Sequence, residues 1–170
     1  MATSAAPAKP TAAGKAKAKG PDAIDLLEKD HRAVEKLFAA FEAAKSDARK
    51  QDLANQICAA LKVHTQIEEE IFYPASREVF TDKQEEMVDE AVVEHASAKE
   101  LIGEIEAMKA GEDLFDAKVK VLSEQIEHHV GEEEKEYFPA VRKKDLDLNA
   151  LGAQMAARKA ELEGQVTKVN

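Results

Sequence analysis

Residues 64–74 read HTQIEEEIFYP and residues 129–139 read HVGEEEKEYFP. In each segment a His is followed four positions later by Glu, and an aromatic-Pro pair closes the segment ten positions after the His. Residues i and i+4 share one face of a helix. His64–Glu68 and His129–Glu133 therefore each present an imidazole and a carboxylate side by side. Two further histidines sit at matching offsets, in Asp30-His31 and Glu94-His95. Imidazole and carboxylate without thiolate suit iron, manganese, zinc or copper. The set His31, His64, Glu68, His95, His129 and Glu133 exceeds the four ligands of a structural zinc. Two metals sharing bridging carboxylates use it better. With two His each and both Glu shared, each metal has four protein ligands. An octahedral ion then keeps two positions for a bridging oxygen and an exogenous small molecule. Reversible oxygen chemistry needs a redox metal, which excludes zinc for that role.

The elements that must carry these residues read as helices. Pro21-Asp22 opens helix A, with Asp22 as N-cap, and its seam of Leu27, Val34, Phe38 and Phe41 includes His31. Helix A is predicted to run to about Lys45. Helix B runs from about Ala48 past Ile71, with Ile57, Leu61, His64 and Glu68 on one face. Helix C starts at Thr81 or Asp82 and reaches about Met108, with His95 in a row of Val88, Ala91, Ala98 and Ile102. Ala110-Gly111 is its stop signal. Helix D covers about Asp113 to Lys143, with Val119, Leu122, Ile126, His129 and Glu133 in register. A weaker stripe of Leu151, Met155 and Leu162 marks a shorter fifth helix over about 148–162. Pro74 and Pro139 are expected to kink or end their helices just past the motif. The fold class is all-α: an antiparallel up-down-up-down four-helix bundle with a short C-terminal fifth helix and a disordered N-terminal tail. The bounds are 1–21 for the basic Ala/Lys-rich tail, 22–143 for the bundle, and 144–170 for the C-terminal helix and tail.

The two halves of the bundle repeat each other: a lone His on the first helix of each hairpin, then an H-x-x-x-E pair on the second. All six polar residues fall in rows otherwise filled by apolar side chains. A buried carboxylate without compensating charge is costly. Neutral imidazoles do not supply that charge, whereas a metal does. The extra acids Glu69, Glu70, Glu132, Glu134 and Glu136 read as a solvated face, with Glu69 or Glu134 an alternative ligand to its neighbour.

Composition narrows the classes. The 170 residues are 44% hydrophobic and 34% charged, and good helix formers dominate. The formal charge is −10, although Lys9, Lys15, Lys17 and Lys19 make the first twenty residues basic. An acidic body repels nucleic acid and anionic membrane, so any nucleic-acid contact would run through the tail. One cysteine, Cys58, permits no intramolecular disulfide and reads as a small core residue. No apolar run approaches membrane-spanning length and no secretory signal is present, so a cytoplasmic location is expected.

On DH at 30–31, HTQIEEEIFYP at 64–74, EH at 94–95 and HVGEEEKEYFP at 129–139, the chain resembles the haemerythrin-like, or HHE cation-binding, domains over about residues 22–143. The resemblance implies an antiparallel four-helix bundle around a non-haem di-iron centre: two Fe ions with an oxo or hydroxo bridge. By motif position it makes His31, His64, Glu68, His95, His129 and Glu133 the metal ligands. It also implies oxygen binding or transport, sensing of oxygen, nitric oxide or redox state, iron handling, or peroxide decomposition. The expected partner is thus a small diatomic ligand or peroxide, with any protein partner unidentified.

This chain departs from the oxygen-carrying haemerythrins, which use five His ligands unevenly shared between the irons. Here four His are in register, and His128 sits about 100° round the helix from His129. That shifts the expectation from simple oxygen carriage toward sensing or redox turnover. Catalase-like peroxide decomposition and iron buffering or iron-responsive regulation are the alternatives on the same site, and a metal-free interaction bundle is the plain competitor. Tyr137, four residues after Glu133, reads as a packed core tyrosine or a donor to the site.

Overall fold

The computed structural model describes residues 20–169, with side chains to residue 165. The basic tail lies, apart from Gly20 and Pro21, outside the described residues. The helices are α1 (Ala23–Ala43), α2 (Asp47–Ile67), α3 (Tyr73–Arg77), α4 (Asp82–Glu106), α5 (Phe115–Glu132), α6 (Phe138–Arg142) and α7 (Leu148–Val169). A π turn, Glu68–Phe72, joins α2 to α3, and a second, Glu133–Tyr137, joins α5 to α6. No strand occurs among the described residues.

The helix starts follow their cap chemistry. The Asp22 side chain accepts from the Asp25 N–H at 2.9 Å, and Ser46 caps α2 through the Arg49 N–H at 3.3 Å. The Thr81 N–H donates to the Gln84 side chain at 3.2 Å, the reach-back of a capping box. Gly111 takes φ +93° where α4 has ended, a conformation that favours glycine. α7 continues to Val169, past the Leu162 limit of its apolar stripe.

Two apolar clusters form the core. One holds Ile24 and Leu27 of α1, Ile67, Phe72 and Tyr73 after α2, Val88 of α4, and Phe138 and Val141 of α6. The other holds Val34, Phe38 and Phe41 of α1, Leu53, Ile57 and Leu61 of α2, Ala98 and Ile102 of α4, and Val119 and Leu122 of α5. α1 and α4 therefore run from the first cluster to the second, while α2 and α5 run back. This is the antiparallel bundle that the seams predict. Each helix crosses from one cluster to the other at a histidine.

α7 lies outside the bundle against α1 and α2. Leu151, Met155 and Leu162 are buried in the first cluster. Gly152 lets it approach closely, since a Cβ there would stand 2.3 Å from the Pro21 carbonyl oxygen. Arg158 pairs with Glu70 at 2.7 Å, and Lys159 pairs with Asp30.

Candidate metal centre

The layer between the two apolar clusters is polar and buried. His31, His64, Glu68, His95, His129 and Glu133 are each at most 5% exposed. All six residues singled out by spacing meet there. The Nε2 atoms of His31 and His64 face each other at 3.2 Å, and those of His95 and His129 at 3.1 Å. Each pair comes from one half of the repeat. Glu68 Oε2 lies 3.2 Å from His64 Nε2 and 3.4 Å from His95 Nε2. Glu133 Oε2 lies 3.3 Å from His31 Nε2 and 3.6 Å from His129 Nε2. Each carboxylate thus touches one imidazole of each pair.

The outward nitrogens explain why the inward ones converge. His31 Nδ1 lies 2.8 Å from Glu134, His95 Nδ1 2.9 Å from Glu69, and His129 Nδ1 2.7 Å from Glu94. A carboxylate beside Nδ1 makes that nitrogen the donor and leaves the Nε2 lone pair pointing inward. His64 Nδ1 has Asp30 at 3.7 Å, beyond hydrogen-bond reach. Glu69 and Glu134 are therefore not merely a solvated face: both are partly buried and each orients an imidazole supplied by the other half. The cue is in the sequence, where an acid precedes each lone His and another follows each motif Glu. A run of glutamates conceals it.

The pKa shifts express the same crowding. Burial and the Glu133 carboxylate push Glu68 up to about 8. Burial works on Glu133 in the same sense, but His129, His31 and His64 overcome it and hold Glu133 down at about 2. Burial and the His129 charge lower His95 to about 4. Although burial opposes it, Glu133, Glu94 and Glu68 raise His129 to about 9.

The chemistry of this donor set suits metal ions. Two nitrogens each about 2.1 Å from one ion and about 90° apart lie about 3 Å from each other, which is the spacing of each imidazole pair. Among the buried atoms without a hydrogen-bond partner are both Glu68 oxygens, Glu133 Oε2 and His64 Nδ1. Unpartnered oxygens in a buried layer are costly unless a cation or another partner takes them. Two fully buried groups have ligand atoms within 4.8 Å of one another, His31–His64–Glu68–Glu133 and Glu68–His95–His129, and Glu68 belongs to both.

Of the two readings of Tyr137, the structure bears out the packed core tyrosine. Tyr137 packs against Phe72, Tyr73, Phe80 and Phe138 in the core. Tyr73 reaches the centre instead: its hydroxyl lies 3.2 Å from His95 Nε2 and donates to Glu133 Oε1 at 3.2 Å. The π turn is the cause. The Tyr73 N–H bonds to the Glu68 carbonyl five residues back, and the Phe138 N–H bonds likewise to Glu133. The residue that follows the motif Glu over the site is therefore i+5, not i+4. A proline within an α-helix clashes with the carbonyl four residues before it, here Glu70 or Lys135. The wider turn relieves that clash and the helix continues. Pro74 and Pro139 thus reshape their helices without ending them. His128 is exposed and outside the buried layer.

Comparison with known proteins agrees with this geometry. The Hemerythrin HHE cation binding domain family matches residues 22–141. A DNA nickase of Nostoc sp. is 29% identical over 119 residues, covering 69% of this chain and 33% of the nickase. An uncharacterized hemerythrin-like protein of Schizosaccharomyces pombe is 27% identical over 119 residues, covering 70% of this chain and 59% of that protein. The chain thus spans about a third and three-fifths of the lengths of these two relatives. A crystal structure of a Hemerythrin HHE cation binding domain-containing protein from Mycobacterium kansasii shares the fold, with a TM-score of 0.73 at 23% identity, covering 86% of this chain and 90% of that one. Duplicated histidine–glutamate pairs, a buried polar layer between two apolar clusters and the match over residues 22–141 lead to one conclusion: the chain belongs to the haemerythrin HHE cation-binding domain family.

Proposed function

We propose that this protein is a non-haem di-iron protein that binds or senses oxygen, nitric oxide or peroxide. The observation that carries the reading is the two facing imidazole pairs, at 3.2 and 3.1 Å, joined by two buried carboxylates. In this reading His31 and His64 hold one iron, His95 and His129 the other, and Glu68 and Glu133 span both. Bound iron would supply redox electrons and open coordination positions for a small ligand.

The surrounding residues do the rest. Glu134, Glu69 and Glu94 hold three imidazoles with their Nε2 atoms inward. The apolar clusters on either side keep bulk water out. A cavity of about 200 Å³ leads between α4 and α5 to His95 and His129, with Val93, Ala98 and Ile126 among its walls. Those walls suit a small uncharged molecule. The nickase activity of the Nostoc relative is not carried over. The matched segment is 33% of that protein, and a formal charge of −10 opposes nucleic-acid binding. No helix among the described residues is long and apolar enough to cross a membrane.

Iron quantification with a visible spectrum under nitrogen and then air tests the proposal. About two irons per chain and a charge-transfer band that reverses on deoxygenation support binding or sensing. Iron well below two per chain, after reconstitution under reducing conditions, rejects it. Peroxide decomposition is the second reading, favoured by the Tyr73 hydroxyl, which places a proton donor inside the centre. Oxygen evolution from peroxide by the iron-loaded protein, lost in His64→Ala, selects that reading.

A further inference from the structure

The acids at the rim of the centre are not equally neutralised. Asp30 pairs with Lys159, Glu69 with Lys99 at 2.6 Å, and Glu134 with Arg32. Glu94 differs. Its Oε2 lies 2.7 Å from buried His129 Nδ1, while its Oε1 faces exposed His128 Nε2 at 3.5 Å. The same His128 nitrogen lies 3.2 Å from Glu132 Oε1. Among the described residues neither Glu94 nor Glu132 has a lysine or arginine partner.

Beneath this corner lies a cavity of about 60 Å³ between α4 and the second π turn. Glu90, Glu94, Glu132 and Glu136 stand on its walls, and His129 and Glu133 line it from the buried layer. Glu133 is 2% exposed and its Oε2 has no hydrogen-bond partner. A patch of surface acids alone is only a solvated face. Here a buried, unpartnered carboxylate oxygen belongs to the same cavity. The groove between α1 and α5, about 400 Å³, also reaches a candidate ligand, His31, but there Arg32 and Lys135 stand among the glutamates and Arg32 pairs with Glu35 and Glu134. No lysine or arginine lines the smaller cavity.

We propose that Glu94, His128 and Glu132 form an outer site for a divalent cation, and that metal passes from it to the buried centre between α4 and the second π turn. The proposal rests on the metal-binding reading above. The three ligand atoms lie within 4.8 Å of one another, and one imidazole with two carboxylates suits divalent first-row metals. Unneutralised carboxylates around a narrow cavity concentrate cations and speed their capture. Glu94 is the link, because its two oxygens already face the outer histidine and a proposed inner ligand. The outer site is open to solvent and exchanges freely, whereas the inner one is buried and holds its ion.

The test is the rate of Co(II) uptake by metal-free protein under nitrogen, followed by stopped-flow visible absorbance. In the double variant His128→Ala/Glu132→Gln, which leaves Glu94 and all six inner residues intact, uptake slows about ten-fold or more. The final cobalt content per chain is unchanged. Glu127→Gln, on the α1–α5 groove, makes the same change in formal charge and loads at the wild-type rate. Equal rates in the double variant and wild type, or equal slowing in Glu127→Gln, overturn the route. Wild-type protein that takes up neither cobalt nor iron overturns the metal-binding reading itself, an outcome distinct from unchanged kinetics in protein that loads.

Discussion

Tyr73 and Phe138 hold equivalent places, each five residues after the motif Glu of its half, and they differ by one hydroxyl. Tyr73 stacks on His95 at 5.4 Å between ring centroids, and Phe138 stacks on His31 at 5.8 Å. The centre is therefore two-fold in its imidazoles and carboxylates and one-sided in its aromatic cover. Tyr73→Phe removes the hydroxyl that donates to Glu133 at 3.2 Å. The expected cost is about 1 kcal/mol in the metal-free protein, read as a lower urea midpoint, with metal content per chain unchanged. An unchanged midpoint would show that this hydrogen bond contributes nothing to folding.

Metal content should separate the roles of the proposed ligands. Glu68 Oε2 touches both imidazole pairs, at 3.2 and 3.4 Å, whereas His31 belongs to one pair. His31→Ala is expected to lower bound metal from two per chain toward one. Glu68→Ala is expected to lower it well below one, because it strips an oxygen from each position. Elemental analysis after equilibrium dialysis measures both. Equal loss in the two variants would argue against Glu68 spanning the pairs.

Stability should fall with rising pH in the metal-free protein and lose that dependence in the loaded protein. His129 sits at about 9 when folded against 6.5 for an ordinary histidine, and Glu68 at about 8 against 4.5. The folded metal-free protein thus keeps protons that the unfolded chain has released. Their contribution is full below the unfolded values and is lost as pH rises through 8 and 9. His95, at about 4 against 6.5, works the other way, but its effect is complete by pH 6.5. The urea midpoint of metal-free protein should therefore fall between pH 6.5 and 9. Metal requires both groups deprotonated, so its affinity rises over the same window. A metal-free midpoint that climbs with pH would overturn the assignment of these protons.

The period of 3.6 residues made the bundle and its six inward residues readable, because His31, His64, His95 and His129 replace apolar residues in otherwise regular seams. The aromatic cover was not readable in the same way. A π turn leaves no mark on that period, so nothing in the spacing singles out Tyr73, which at i+5 reaches the centre. Glu69 and Glu134 read as solvated acids or alternative ligands, and Glu94 as a neighbour of His95; their role as imidazole partners was not readable. Each orients an imidazole, and two of them do so on a helix of the other half, a relation that no local pattern carries. The weak stripe of α7 understated its packing, because Gly152 docks through its missing Cβ and adds no apolar surface.

That docking has its own test. A Cβ at residue 152 would stand 2.3 Å from the Pro21 carbonyl oxygen and 2.8 Å from the Ala23 nitrogen, both backbone atoms at the start of α1. Neither is the tip of a flexible side chain, so α7 must move. Gly152→Ala is expected to destabilise the protein by about 1–3 kcal/mol and to make α7 sensitive to limited proteolysis. Gly164→Ala, on the same helix with nothing within 4 Å of the added atom, should not destabilise the protein, because alanine is the better helix former, and should leave the proteolysis pattern unchanged.

The rim acids give the sharpest test of how the imidazoles are held. Glu134 accepts from His31 Nδ1 at 2.8 Å and also pairs with Arg32, while Glu35, another partner of Arg32, touches no imidazole. Glu134→Gln keeps the shape and removes the charge that fixes the donor role of Nδ1. Metal affinity at the His31–His64 position is expected to fall about 10–100-fold, the range for losing such a partner, measured by competition with a chromophoric chelator. Glu35→Gln removes an exposed ion pair beside the same arginine and should leave affinity unchanged, since such pairs contribute about 0–1 kcal/mol. Comparable losses in both variants would place the effect in Arg32 and the local charge. A loss confined to Glu134→Gln would place it in the imidazole that Glu134 holds.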